Sequence, residues 1–392
     1  MKTLFFSPKF YPEPNFYIND IVFDLEIPDK VVLTGKKISY KNISFFLKKN
    51  KVNIYYIPYF ERSRNTIFSL LFEYFSFFLL SFLIIPIVLF LERPKKIFYY
   101  GISPPFYIFP FILLKVFFRY KIIFWVQDIW PESIFLRMPF SNAFYRFIKF
   151  LMSIIYKFSD RLILISKKFK GSSRFKKYEI KIDYIPQGCK QETKSSLDEY
   201  SLKIFNLIKN ETRKVIIYAG NVSNSMFLEE MAEAVNKNKN DFVFYIIGDG
   251  ALKKKLIKKN YKKVFFFEFV ERNSILKIIK QADFAFLGRK LDKDKKTKII
   301  SKIFPAKLSI YLYCQVPIIS LADEDLYRYI NRNNLGYVNK FSGVKELSDW
   351  LSSLLLETEE KINSIKFSQK DHFSRSFDHN NILKKIKAII EK

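Results

Sequence analysis

The chain has 392 residues, of which 49% are apolar, and its 67 basic and 38 acidic residues give a formal net charge of +29. This length predicts two domains rather than one simple core. The charge favours an anionic partner, although a coding bias towards Lys, Ile, Phe, Asn and Tyr also explains part of the lysine content. Two cysteines, Cys189 and Cys314, and two histidines, His372 and His379, argue against a disulfide framework, a zinc site and a histidine-based catalytic triad. A reducing cytoplasm fits this composition.

The first half of the chain alternates short β-rich runs with longer segments that can form helices. The runs predict strands at residues 3–7, 31–34, 53–57, 97–100, 121–126 and 161–165. This alternation is typical of a parallel, doubly wound sheet, whose ligands bind at the carboxyl ends of the strands. Residues 10–16 form a turn-rich loop after the first strand, and residues 127–133 place polar, aromatic and acidic groups after another. From the residues alone, 127–133 fits a functional cluster and a capped helix start equally well.

Residues 74–91 form an uncharged apolar run that reaches the minimum length for a membrane span. Pro86 lies inside it, and Glu73 and Glu92 bracket it. If the run crossed a bilayer, the strands before and after it would lie on opposite sides and could not share a sheet. We therefore expect a helix that is buried or lies in the membrane interface, with true insertion as the weaker alternative. Residues 1–7 are strand-like rather than typical of a signal peptide.

A second alternation begins after a polar stretch that contains residues 191–196 and suits an interdomain linker. It predicts helices at 227–235 and 252–259, and strands at 215–221, 242–250, 264–267, 284–287 and 317–320. Gly220 and the sequence Gly248-Asp249-Gly250 end two of these strands. They match neither the dinucleotide fingerprint nor the P-loop. The predicted domains are 1–186 and 187–375, followed by a helical segment at 376–392.

Residues 302–320 read as a loop, a helix and a strand. Pro305 suits the first turn of a helix, apolar residues follow at helical spacing, and residues 315–317 end the helix. Unpaired backbone N–H groups, the helix dipole and Lys307 together suit a bound phosphate at the helix start. An ordinary amphipathic helix with a solvated lysine is the simpler alternative.

Taken together, these segments resemble the retaining GT-B glycosyltransferases of family 4, in particular the branch that builds bacterial O-antigen and capsular polysaccharides. The most specific match is residues 126–133, which look like the branch's Asp-Leu-Trp-Pro-Glu-Ser signature. Further matches follow in the family's order at 5–14, 163–166, 185–188, 218–221, 247–250, 281–283 and 305–307 with Gly336. The resemblance covers nearly the whole chain. It implies an α/β, GT-B fold, with two doubly wound Rossmann-like domains facing across a cleft.

The resemblance also implies a role for each domain and for particular residues. Domain 1–186 would take the acceptor and face the membrane with its apolar segments, domain 187–375 would bind the sugar nucleotide, and 376–392 would pack back on the first domain. Gln127 and Asp128 would be catalytic. The residues that would bind substrate are Asn15, Gly220, Asn221, Gly248, Asp249, Phe269, Val270, Arg289, Pro305, Ala306, Lys307 and Ser309. No metal or other cofactor is expected, because basic groups and backbone donors can neutralise a leaving diphosphate.

The chain departs from the family pattern at several of these positions. Lys302 and Ile310 stand where the family often has two glutamates, and isoleucine cannot accept hydrogen bonds from ribose hydroxyls. Gln127 falls where many members have histidine, so no side-chain base is evident. Front-face retaining transfer can use a phosphate oxygen of the donor as its base instead.

The resulting hypothesis is a cytoplasmic enzyme that lies peripherally on the inner face of the plasma membrane. It would transfer a sugar from a nucleotide diphosphate sugar, with a UDP-sugar as first choice, to a polyprenyl-diphosphate-linked saccharide. The basic charge and the apolar stretches 67–91 and 106–118 would hold it on an anionic membrane. The alternatives are a catalytically silent GT-B subunit of a polysaccharide-assembly complex and a GT-B sugar-nucleotide epimerase. Nucleic-acid binding is disfavoured, because the lysines are spread along the chain without a recognised module.

Overall fold

Two compact units make up the protein in the computed structural model, one formed by Met1–Pro186 with Ile382–Lys392 and the other by Gln187–Asn381. Each unit has its own sheet with helices packed on it. The structure describes residues 1–12, 16–38, 45–60, 67–135, 141–169, 173–192, 196–239, 242–290, 305–322 and 324–392.

The first unit is built on an eight-stranded sheet. Its strands are β1 (Thr3–Ser7), β2 (Lys30–Lys37), β3 (Phe46–Lys49), β4 (Val52–Tyr59), β5 (Lys96–Gly101), β6 (Lys121–Val126), β7 (Arg161–Leu164) and β8 (Ile182–Tyr184). They lie in the order β3-β4-β2-β1-β5-β6-β7-β8, and all neighbours are parallel except β3 and β4. The helices before residue 187 are α1 (Phe16–Asp24), α2 (Ile67–Glu92), α3 (Phe109–Phe118), α4 (Glu132–Phe135), α5 (Asn142–Phe158) and α6 (Ser173–Lys176).

Aromatic side chains in register form the centre of this first sheet. Phe6 of β1 stands beside Tyr99 of β5, and Tyr99 stands beside Phe124 of β6, with both pairs of rings stacked at 5.2 Å between centroids. All three side chains are fully buried. Parallel strands that are covered on both faces read as continuous apolar runs, and for this reason the sequence located them. The sequence did not predict the exposed strand β3, which has no such run.

The second unit is built on a six-stranded, fully parallel sheet. Its strands are β9 (Lys214–Ala219), β10 (Phe242–Ile247), β11 (Val264–Phe267), β12 (Phe284–Gly288), β13 (Ile318–Leu321) and β14 (Gly336–Asn339), in the order β11-β10-β9-β12-β13-β14. The remaining helices are α7 (Glu199–Lys209), α8 (Leu228–Lys237), α9 (Lys253–Lys258), α10 (Arg272–Ile279), α11 (Lys307–Cys314), α12 (Glu324–Arg332), α13 (Val344–Ser353), α14 (Glu359–Ser376) and α15 (His379–Glu391). Most of α15 belongs to the first unit.

Helix α11 begins two residues after Pro305, where the sequence placed its start. The Pro305 carbonyl accepts the first hydrogen bond of the turn from the Leu308 N–H, 2.9 Å away. Gln315 ends the helix in the left-handed conformation, with φ of 54°. The predicted helix and strand are therefore both present, and the predicted loop before Pro305 lies outside the described residues.

Helix α2 has 26 residues and contains Pro86. Residues 71–92 are long and apolar enough to cross a membrane, with a mean hydropathy of 2.6, yet 33% of this window is buried in the protein. One side packs on β4 and α3, and its buried residues include Phe77, Ile85, Val88 and Leu89. The other side exposes large apolar residues: Phe68, Leu71, Phe72, Phe75, Leu79, Leu83, Ile87, Phe90 and Leu91.

Candidate functional site

The carboxyl edge of the second sheet brings together most of the residues that the sequence singled out. Because the six strands are parallel, all their carboxyl ends lie at the same edge. At this edge Gly220 and Asn221 follow β9, Gly248 and Asp249 follow β10, Phe269 and Val270 come shortly after β11, Arg289 follows β12, and residues 305–309 lead through α11 to β13.

The loops after β9 and β10 pack backbone against backbone. The Gly220 N–H donates to the Ile247 carbonyl at 2.9 Å, and the Val222 N–H donates to the Asp249 carbonyl at 2.8 Å. A Cβ atom at Gly248, whose φ is 135°, would collide with the Gly220 carbonyl. Glycine is therefore required here by both conformation and space. The close packing leaves backbone rather than side chains at the edge of the sheet.

Lys307 crosses this edge from the first turn of α11. Its Nζ atom lies 4.8 Å from the centroid of the buried Tyr218 ring, within the range of a cation–π contact. A Cβ atom at Gly220 would lie only 2.6 Å from Lys307 Cε, so the glycine makes room for the lysine. Within the described residues the ammonium has no acidic partner. Desolvation lowers the pKa of Lys307 to about 8.

The start of α11 adds to the positive electrostatic potential around the Lys307 ammonium. Among the described residues, no side chain caps the helix start at Ala306. The Ser309 hydroxyl donates instead to the Ala306 carbonyl at 2.9 Å. Uncapped N–H groups, the positive end of the dipole and the lysine together suit a phosphate or diphosphate. These are the features for which the sequence of residues 302–320 predicts a phosphate site at the start of this helix.

An ion pair between Lys253 and Glu268 supports the loop that follows β11. Lys253 is buried, donates to the Phe267 carbonyl at 2.9 Å and pairs with the Glu268 carboxylate at 2.8 Å. Beyond this anchor, Phe269 is 57% exposed whereas Val270 is buried. The loop thus presents one aromatic ring and its backbone to solvent, which suits contact with a planar base.

In the first unit, Gln127 and Asp128 follow β6, at the carboxyl edge of that sheet. Gln127 is buried, and its backbone N–H donates to the Gly101 carbonyl at 3.3 Å. Ser103 Oγ donates to Asp128 Oδ2 at 2.6 Å and accepts from Trp130 Nε1 at 2.7 Å. We call these three residues the Ser103 relay. It joins the loops after β5 and β6 and fixes the Asp128 carboxylate.

A buried ion pair holds the next turn of the same loop. Arg174 donates to both carboxylate oxygens of Glu132, with 2.7 Å between Nη1 and Oε2, and also to the Trp130 carbonyl at 2.9 Å. The Tyr145 hydroxyl donates to Glu132 Oε1 at 2.7 Å. The hydrogen bonds of these two carboxylates, Asp128 and Glu132, therefore run to other elements rather than to the start of α4. This geometry favours a built cluster over a simple capped helix.

A small cavity of about 30 Å³ lies beside the Ser103 relay. It has room for about two water molecules, or for one substituent of a larger ligand. Helix α2 forms one wall through Glu73, Tyr74 and Phe77, and burial raises the pKa of the neighbouring Tyr107 well above its usual value. The other residues that line it are Pro8, Lys9, Tyr59, Ile102, Ser103 and Tyr107.

Three further positions that the sequence singled out are Asn15, Lys302 and Ile310. Asn15 and Lys302 lie outside the described residues. Ile310 is half-buried and packs against the apolar core of the second unit, so it offers no hydrogen-bonding group. Within the described part of the chain, no group of three or more His, Cys, Asp or Glu residues is arranged to hold a metal ion.

Sequence reasoning missed three residues of these two sites. Ser103 follows a predicted strand directly, as Gln127 does, and that position was an available signal. Tyr218 was given no role of its own, only a place in a buried strand and in the 218–221 match, although its ring lies against the Lys307 ammonium. Arg174 gave no signal, because its partner Glu132 is 42 positions away in the sequence.

Comparison with known proteins supports these observations. Residues 201–371, which lie in the second unit, match the family described as Glycosyl transferases group 1. A curated relative, the probable glycosyltransferase WbjE of Pseudomonas aeruginosa, is 24% identical over 156 residues. This match spans 39% of the present chain and 39% of the relative.

Solved structures match the chain along its whole length. HepE of Anabaena, in complex with UDP and glucose, superposes with a TM-score of 0.69 at 14% identity, covering 100% of this chain and 99% of that one. WaaG, a glycosyltransferase involved in lipopolysaccharide biosynthesis, superposes with a TM-score of 0.65 at 13% identity, covering 99% of each chain. At such low identity the likeness shows the fold alone. The predicted GT-B fold, with two α/β Rossmann-like domains, is confirmed.

Ser103→Ala should lower the free energy of unfolding by about 1–3 kcal/mol, because the buried Trp130 indole loses its acceptor and Asp128 loses its donor. Ser153→Ala is the matched control. Ser153 Oγ donates only within α5, to the Phe150 carbonyl at 2.7 Å in an exposed position, so its loss should cost less than about 0.5 kcal/mol. Urea unfolding followed by fluorescence measures both variants. Equal losses would contradict a special role for the Ser103 relay.

Proposed function

We propose that the protein is a retaining glycosyltransferase that moves a sugar from a nucleotide diphosphate sugar to a polyprenyl-diphosphate-linked saccharide. The observation that carries the proposal is the ammonium of Lys307, which lies at a helix start among glycine loops and has no acidic partner in the described residues. A half-buried, desolvated cation without a counter-ion costs free energy, and a bound diphosphate would offset that cost.

A UDP-sugar is the donor that we favour. HepE of Anabaena has the same fold, and its structure contains UDP and glucose. In the present chain the diphosphate would lie on Lys307, Gly220 and Asn221, and the base would lie against the backbone of Phe269 and Val270. Backbone N–H groups and a fixed ammonium can stabilise the leaving diphosphate without a metal ion.

Asp128 and Gln127 are the residues of the first unit to which we assign a role in the transfer. The bond between the anomeric carbon and the diphosphate oxygen breaks, and the acceptor hydroxyl bonds to that carbon on the same face. The acceptor's proton passes to an oxygen of the leaving phosphate, so the step needs no side-chain base. The Ser103 relay would hold the Asp128 carboxylate still, and a fixed carboxylate can stabilise positive charge that develops on the sugar.

A lipid-linked acceptor is consistent with the exposed apolar side of α2. This helix also forms a wall of the cavity beside the Ser103 relay, so one element touches both the candidate site and the surface. We propose a peripheral position on the cytoplasmic face of the plasma membrane. A role in bacterial surface polysaccharide synthesis, such as O-antigen or capsule, rests on the likeness to WaaG and WbjE.

Thermal unfolding of the purified protein with millimolar UDP, GDP, CMP, NAD or a short RNA tests the donor class. A ligand at about a hundred times its dissociation constant adds roughly 2.7 kcal/mol, which shifts the melting temperature by about 5–10 °C in a domain of this size. We expect a shift with UDP. A shift with GDP alone would change the nucleotide but keep the reaction class. No shift with any nucleotide would favour the silent-subunit alternative, to which Ile310 already points.

The UDP affinity should fall as the pH rises above 8. Only the protonated lysine attracts the diphosphate, and the pKa of Lys307 in the free protein is about 8. The affinity should therefore be nearly constant from pH 7 to 8 and decrease by up to tenfold for each further pH unit, until the pH reaches the raised pKa of the complex. Titration calorimetry at several pH values measures this.

Lys307→Met should weaken UDP binding at pH 7 by roughly tenfold or more and remove the dependence on pH, because a charge-assisted hydrogen bond is lost. Lys307→Arg keeps a charge at all these pH values and should also remove the dependence. A pH profile that is the same in the wild type and the methionine variant would contradict the assignment of Lys307.

A further inference from the structure

Helix α5 has an apolar side that the first unit leaves uncovered. Its inner side packs into the core through Ile148, Met152, Ile155 and Tyr156. Four phenylalanines on the helix remain exposed: Phe144 at 43%, Phe147 at 54%, Phe150 at 61% and Phe158 at 46%. Exposed phenylalanines at this spacing give α5 a second apolar surface beside the one that it buries.

Cations flank this surface. Arg146, Lys149 and Lys157 are exposed, and in the described residues none of them forms an ion pair. At about 100° per residue, Arg146 and Lys157 project beside Phe150, along one edge of the stripe that contains Phe147 and Phe150, whereas Lys149 projects further round the helix. Neither α3 nor α5 contains an acidic residue. The helix therefore has the pattern of an interfacial helix, with aromatic and basic residues side by side.

The sheet topology places α5 on the same side of the sheet as α2 and α3. These helices connect β4 to β5, β5 to β6 and β6 to β7, and each connection moves in the same direction across the sheet. Right-handed crossovers in one direction put their helices on one face. Helix α3 packs against α2, and its Lys115 Nζ donates to the Phe158 carbonyl of α5 at 3.1 Å. The three helices are therefore neighbours.

We propose that the exposed sides of α2, α3 and α5 form one docking surface for an anionic phospholipid bilayer, and that α5 supplies its preference for anionic lipids. We call this surface the α2–α3–α5 face. Helix α2 contributes the largest apolar area, and α3 adds Leu113, Val116 and Phe117, which are 60–79% exposed. The cations of α5 would lie at the depth of the lipid headgroups.

Charge complementarity favours a bilayer over a second copy of the chain. A two-fold contact through α5 would bring Arg146 and Lys157 of one copy towards the same residues of the other, and α3 and α5 offer no acid to balance them. An anionic headgroup layer supplies that balance, at about 1 kcal/mol for each cation. The inference rests on the proposed membrane association and assigns its electrostatic part to one helix.

Co-sedimentation with vesicles tests the inference on the full chain, without nucleotide or acceptor. The vesicles contain one-third phosphatidylglycerol and two-thirds phosphatidylcholine, with pure phosphatidylcholine as reference. Arg146→Gln with Lys157→Gln should reduce partitioning to the anionic vesicles about thirty-fold, as the loss of two cations near the surface implies. Lys254→Gln with Lys258→Gln on α9 changes the net charge equally at exposed positions of the second unit and should leave partitioning within about twofold.

A second pair of variants tests the aromatic part. Phe147→Ser with Phe150→Ser should reduce partitioning at least tenfold, whereas Leu356→Ser with Phe367→Ser, which removes exposed apolar residues from the second unit, should not. Thermal unfolding confirms that each variant is folded. UDP binding is measured separately, so a failure of the donor assignment and a failure of this inference give different results.

Four outcomes would overturn the inference. Equal losses from the α5 and α9 charge pairs would show that binding follows total charge. Equal partitioning to both kinds of vesicle would remove the selectivity assigned to α5. A wild-type dimer that becomes monomeric when Phe147 and Phe150 are replaced, measured by light scattering, would make the face a contact between copies. Retained binding in both α5 variants would likewise exclude α5 from the surface.

Discussion

The absence of a side chain at Gly220 is the constraint on which the candidate donor site depends. Because the position is glycine, the loop after β9 can bond to the end of β10 and Lys307 can cross over it to the Tyr218 ring. Gly248 is required in turn because it packs on the Gly220 carbonyl. A side chain at Gly220 would displace the Lys307 ammonium, and one at Gly248 would displace the Gly220 backbone. The site is thus built by backbone packing, with one cation as its chemical group.

The charged groups of the two candidate sites have opposite surroundings. In the first unit, Asp128 and Glu132 are bound by Ser103 and Arg174, so the polar loop after β6 has partners already in place. In the second, the Lys307 ammonium has no acidic partner among the described residues, and desolvation lowers its pKa. A satisfied network favours one fixed geometry, whereas an unbalanced cation favours an incoming anion. This difference agrees with the roles that we propose, in which the first unit orients the reacting sugar and the second binds the diphosphate.

The sequence predicted the elements that repeat a simple pattern. Buried parallel strands are continuous apolar runs, so β1, β9 and β11 were located to within one or two residues, and Pro305 and Gln315 marked the limits of α11 well. The sequence pattern predicted less where contacts between distant parts of the chain determine the structure. Helix α2 is apolar on all sides, so its periodicity could not tell the packed side from the exposed one. The Glu132–Arg174 pair joins distant parts of the chain, and no local signal announces it.

The topology of the first unit shows where the abundant phenylalanines and lysines of the chain come together, which the overall composition does not. An excess of phenylalanine and lysine along the entire chain says little about any site. The right-handed crossovers of the first unit, however, gather α2, α3 and α5 on one face of the sheet, where exposed phenylalanines stand beside unpaired cations. The proposed diphosphate site would use a single lysine of the other unit. In these two proposals, binding to a surface and binding to a nucleotide depend on different residues of different units, and substitutions in one should add independently to substitutions in the other.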